Sequence, residues 1–130
     1  MRKEMNSFEL MDEMFGMMSP VRSPYITMKT DIVENDKEFI FYMDVPGVEK
    51  KDIKVVVEEG VLIISAERKA LAVEDGKVIL REHRAHTSKR SFRLPANVNS
   101  GDIKAKYDNG ILILTVKKPE DIQPHNIDID

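Results

Sequence analysis

Ile103, Ala105 and Tyr107 alternate with Lys104, Lys106 and Asp108, the period-two pattern of a strand with one wet face. Two residues later follows a run that is apolar on both faces, Ile111 to Val116. Between them stands Asn109-Gly110, the dipeptide that most cheaply accepts positive φ at both central positions of a type I′ turn, so the two strands must fold back as a hairpin. A strand that is dry on both sides has to be covered twice, once by a facing sheet and once by a partner chain or a tail. The last residues, Asn126-Ile127-Asp128-Ile129-Asp130, offer the second cover. The same alternation predicts strands upstream. Met28 to Val33 reads as a short strand suited to a sheet edge. Glu38 to Val45 places Phe39, Phe41 and Met43 on one face and Ile40, Tyr42 and Asp44 on the other, and Pro46-Gly47 ends it. Ile53, Val55 and Val57 share a face opposite Lys54, Val56 and Glu58, and Glu59-Gly60 turns that strand into Val61 to Glu67. Beyond residue 28 no stretch sustains a helical period, so the chain is expected to form an all-β domain with strands spaced as in a sandwich.

The pattern changes at the N-terminal end and once inside the domain. Met5, Phe8, Met11, Phe15 and Met18 recur at spacings of three and four, one stripe of a helix opposite Glu9, Asp12 and Glu13. Gly16 weakens such a helix and Ser19-Pro20 should end it. Seven of the chain's eight methionines fall between Met1 and Met28. Two readings stand side by side: a helix packed on its own domain, and an adaptable apolar surface whose unbranched methionines re-pack around partners of differing shape. Arg68 to Thr87 is a long charged excursion with one strand-like piece, Lys77-Val78-Ile79-Leu80. A loop of that length inside a small domain is usually functional or disordered.

Composition narrows the function classes. A chain of 130 residues has room for one core and two flanking arms. A net charge of −3 offers neither a phosphate track for nucleic acid nor an anchor for an acidic membrane. Cysteine is absent, which excludes a disulfide framework and a thiolate zinc site. Glu4, Glu9, Asp12 and Glu13 interrupt any apolar run that might serve as a signal-peptide core or span a membrane, so a soluble cytoplasmic protein is expected. The sequence holds no G-x-S-x-G nucleophile elbow, no G-x-x-x-x-G-K phosphate loop and no G-x-G-x-x-G dinucleotide turn. His83 and His86, between Arg81, Arg84 and Lys89, read as solvated residues rather than metal ligands. Glu58-Glu59 and Glu74-Asp75 flank turns and read as solvated rather than as an acid/base pair, and His125 has no assigned role. No catalytic residue, cofactor or metal is expected, and the chain is not expected to be an enzyme.

The hairpin also carries a family resemblance. Ala105-Lys106-Tyr107-Asp108-Asn109-Gly110-Ile111-Leu112 resembles the A-x-x-x-N-G-V-L signature of the α-crystallin domain, and Ile127-x-Ile129 resembles the I-x-I/V tail of small heat shock proteins. The likeness extends through Asp44-Val45-Pro46-Gly47-Val48 with Asp52-Ile53, through Gly60 to Arg68, and through Arg90-Ser91-Phe92-Arg93-Leu94-Pro95. It implies an immunoglobulin-like β-sandwich, the α-crystallin domain, at residues 29–118. This lies between an N-terminal arm at 1–28, helical or disordered, and an extended C-terminal tail at 119–130. It implies an ATP-independent holdase chaperone whose partners are non-native client proteins, held by Met5, Phe8, Met11, Met14, Phe15 and Met18 of the arm. In the bacterial and plant type the excursion lends a strand to a neighbour's sheet edge. Lys77, Val78, Ile79 and Leu80 are therefore expected beside Met28 to Val33 of a second subunit in a strand-exchanged dimer. Arg90 is expected at that dimer contact, against a simpler role as a salt bridge at the sheet. The tail residues Ile127 and Ile129 are expected in a groove between Ile53, Val55 and Val57 on one strand and Ile103 and Ala105 on another, joining dimers into a larger homo-oligomer. One departure stands out: the aromatic Y-G-x-F run that precedes R-x-F in the family is here Ala85-His86-Thr87-Ser88. Two other readings remain, a co-chaperone module of the related CS type and a purely structural sandwich.

Overall fold

Alternation of period two resolves into seven strands. The structure, a computed structural model, describes residues 28–120, 123–124 and 126–130. The arm stripe from Met5 to Met18 and the lone His125 lie outside the described residues. The strands are β1 (Thr30–Glu34), β2 (Glu38–Asp44), β3 (Ile53–Glu58), β4 (Val61–Arg68), β5 (His86–Arg93), β6 (Ile103–Asp108) and β7 (Ile111–Lys117). They form two antiparallel sheets, a four-stranded one in the order β1-β2-β7-β6 and a three-stranded one in the order β3-β4-β5. The expected all-β sandwich is the observed architecture.

The turns follow from their residues. Asn109 and Gly110 take φ values of 51° and 75°, and Glu59 and Gly60 take 50° and 76°, so both hairpins use left-handed backbone at both central positions. The first tip is also held from outside. Gly110 accepts a bond from the Val45 N–H at 2.8 Å, and a Cβ there would sit 3.4 Å from the Pro46 Cα.

Packing follows the same parity. Phe39, Phe41 and Met43 of β2 and Leu112, Leu114 and Val116 of β7 face inward from one sheet, and Leu62, Ile64, Ala66 and Phe92 face them from the other. Phe41 meets Phe92 edge-on, with ring centroids 5.1 Å apart and planes at 76°. Each such side chain stabilises the fold by about 1.5–3 kcal/mol through burial. The inward rows of the three-stranded sheet taper along its length. Leu62 stands opposite Phe92, Ile64 opposite Arg90, and at the far end Ala66 opposite Ser88. Lys118 continues the inward parity of β7 and is only 6% exposed. Its Nζ lies 3.2 Å from a Glu34 carboxylate oxygen and 5.1 Å from the Phe39 ring centroid, so the buried charge has both a counter-ion and a π face. Its N–H donates to the Lys37 carbonyl and its own carbonyl accepts from Gln123 Nε2, both at 2.8 Å.

Candidate functional site

Closing a sandwich leaves two sides where sheet edges meet, and here each side carries predicted site residues. On the first, β3 of one sheet and β6 of the other stand over a cavity of about 250 Å³. Ile53, Val55 and Ala105 line it, joined by Lys50, Tyr107 and Leu112. Val57 and Ile103, expected in the same groove, instead pack half-buried against the core outside the cavity lining. The added residues had a signal. Tyr107 and Leu112 lie on the inward parity of their strands, and the Tyr107 hydroxyl donates to the Val48 carbonyl at 2.6 Å, fixing β6 to the segment after β2. Ala105 is exposed on that same parity, and its small side chain is why the cleft has depth. Ile127 and Ile129 are 88% and 96% exposed, so the tail does not occupy the groove of its own chain.

On the second side Arg90 of β5 reaches across to the lead-in of β1. Its Nη1 donates to the Met28 carbonyl at 2.8 Å and to Thr30 Oγ1 at 2.9 Å, while its guanidinium carbon lies 5.1 Å from the Phe92 ring centroid. Burial pushes the Arg90 guanidinium below its ordinary pKa. Within one chain this arginine bridges the two sheets through Met28 and Thr30. The strand it braces, β1, is the outer strand of its sheet.

The excursion emerges between these sides. Lys77–Leu80, expected as a strand paired with a second subunit, forms none within the described residues of the single chain, and a strand needs a ladder partner. Ile79 is 95% and Leu80 75% exposed. Its root is anchored. The Arg68 guanidinium lies over Gly47, where a Cβ would approach to 2.8 Å, and its Nη2 donates to His83 Nδ1 at 3.0 Å. Lys69 pairs with the largely shielded Asp52 at 3.3 Å. A cavity of about 640 Å³ lies inside the excursion, walled by Leu71, Val73, Val78 and Leu80 among others. His86 is half-buried in β5, 3.5 Å from Ser88 Oγ, rather than free in solvent. Among the described residues no three His, Cys, Asp or Glu side chains gather as a metal site, and no helix is long and apolar enough to cross a membrane.

The Hsp20/alpha crystallin family model matches residues 31–130 of the chain. The chain belongs to that family. This Hsp20 chain is 45% identical over 94 residues to heat shock protein HSP.16.4 of Streptococcus thermophilus, a match covering 70% of the chain and 66% of that protein. It is 38% identical over 108 residues to the 17.4 kDa class III heat shock protein of Arabidopsis thaliana, covering 76% and 70%. The chain thus spans about two thirds of the length of these relatives. Among solved structures, heat shock protein 16.0 from Schizosaccharomyces pombe matches with a TM-score of 0.64 at 27% identity, over 81% of this chain and 97% of that one. A small heat-shock protein from Xylella fastidiosa, described as having a distinct high order structure, matches with a TM-score of 0.63 at 28% identity, over 83% and 99%.

Proposed function

We propose that this Hsp20-family protein is an ATP-independent holdase that captures partly unfolded clients and keeps them from meeting one another. The reading comprises a client-binding arm at 1–28, a sandwich at 29–118 and a linking tail at 119–130, in a cytoplasmic homo-oligomer built from strand-exchanged dimers. The observation that carries it is the placement of exposed apolar residues. Val78, Ile79 and Leu80 of the excursion and Ile127 and Ile129 of the tail lie in solvent in the single chain, opposite two docking features without occupants among the described residues, the outer edge of β1 and the β3–β6 groove. Side chains so exposed are a liability in a monomer and an assembly code in an oligomer. Clients that expose apolar surface are then buried against the Met/Phe stripe, and binding of an unfolded state prevents aggregation without refolding it.

The test is suppression of a heat-denatured client's light scattering without nucleotide. The full chain is expected to abolish scattering at roughly stoichiometric subunit concentration. A chain lacking residues 1–19 is expected to keep its β-sheet circular dichroism and lose most of the protection. If the full chain leaves the scattering unchanged, it is not a holdase; if the shortened chain protects fully, the client surface is not the arm.

A further inference from the structure

At the end where the inward rows taper to Ala66 and Ser88, the two sheets do not fill the space between them. A pocket of about 230 Å³ remains, lined by the apolar Met28, Val45, Pro46 and Val48 together with the polar Lys29, Asp44, His86 and Ser88. Met28, Val45, Val48 and Ser88 are buried while Lys29, Asp44 and Pro46 are exposed, so the pocket runs from the core to the surface. The pocket is also held open. Arg90 and the Thr30 hydroxyl both donate to the Met28 carbonyl, and the Asp44 N–H donates to the Lys29 carbonyl at 3.0 Å, so the lead-in to β1 cannot slide inward to close it.

We propose that this pocket receives the phenol ring of Tyr25 of the same chain. Three properties select that occupant. Residues 1–27 join the described chain at Met28, which is itself a wall, and three extended residues reach about 10 Å. In volume, a cavity of about 150 Å³ accepts benzene, so this one has room for the larger phenol. In chemistry, the lining combines apolar Met28, Val45, Pro46 and Val48 with the Asp44 carboxylate, the His86 imidazole and the Ser88 hydroxyl, matching an aromatic body with one O–H donor. The other aromatics of the arm, Phe8 and Phe15, are at least ten residues further along the chain and have no donor for these polar groups. Seated, Tyr25 completes the thin end of the core and pins the root of the arm to the sandwich. Withdrawn, it leaves that end hollow and gives the arm three more residues of reach.

Thermal unfolding of the full-length chain tests this. Tyr25→Ala should lower the apparent Tm by about 5 °C. Millimolar p-cresol should restore much of that loss in the variant and leave the wild type unmoved. Ser88→Phe, which fills the pocket from the sheet, should remove most of the cost of Tyr25→Ala, because the two side chains compete for one space. The proposal is overturned if Tyr25→Ala leaves the Tm unchanged, if p-cresol raises variant and wild type equally or neither, or if Tyr25→Ala costs the same with and without Ser88→Phe. Should Ser88→Phe fail to fold, the p-cresol comparison decides alone.

Discussion

The two sides of the sandwich are finished in opposite ways. Where β5 meets β1, Arg90 crosses the gap and bonds to Met28 and Thr30, so that side is closed by a charged bridge and what it offers outward is backbone, the outer edge of β1. Where β3 meets β6, the small Ala105 leaves a cleft lined by Ile53, Val55 and Leu112, so that side offers side-chain pockets. The difference teaches how one small fold can carry two kinds of grip. A strand edge binds through a row of directional bonds and demands a matching strand, whereas an apolar cleft takes a pair of side chains that enter and leave individually. In the assembly proposed above this sets a hierarchy, with the ladder making the tighter unit and the cleft joining such units.

The most drastic way to break this arrangement is at the ladder. Ile79→Pro removes a donor and bends the strand that β1 would receive, and is expected to give folded monomers at low micromolar concentration by light scattering. A variant that stayed dimeric would mean the excursion folds back on its own chain. One level down, Ile127→Ala with Ile129→Ala should leave dimers intact and collapse larger assemblies to them. The two isoleucines are worth about 1.5–3 kcal/mol each before ordering costs. Wild-type mass in the double variant would remove the tail from the inter-dimer link. The mildest change sharpens the contrast between the sides. Arg90→Ala should lower the sandwich's stability by about 2 kcal/mol in urea unfolding, because the Met28 carbonyl loses a charged donor, while a groove emptied by the tail variant should cost the isolated domain nothing measurable.

Much of the scaffold was legible in the sequence because strand parity and turn chemistry are local. Asn109-Gly110 and Glu59-Gly60 named their turns, and Phe39, Phe41 and Met43 named a buried face. The sequence also brings Ile53, Val55 and Ala105 to one cavity between β3 and β6. What escaped depends on how far one sheet lies from the other. Val57 and Ile103 share the parity of Ile53 and Val55 and, like them, pack half-buried against the core, but they lie outside the cavity lining. Arg90 was expected at the dimer contact or in a salt bridge at the sheet, and its contact with the Met28 carbonyl depends on the stacking of β5 against β1, which the sequence does not show. Nothing in the sequence singles out Ser88 as an inward residue, and its register opposite Ala66 shows that it points inward. Lys77–Leu80 is a different case, because under the proposed exchange its secondary structure would be a property of two chains and not of one.

The buried Lys118 has a consequence for the kinetics of assembly. Held by Glu34, Phe39 and the Lys37 carbonyl, it is a fixed pivot at the point where β7 hands over to the tail. The eight residues from Pro119 to Asn126 then confine the isoleucine pair to a radius of about 26 Å around that pivot. A motif on so short a leash is present near its surroundings at an effective concentration in the millimolar range. In the assembly proposed here, a tail that lets go while its dimer is still held by other tails is recaptured far more often than it is lost. The oligomer can therefore be long-lived while every single link in it is short-lived.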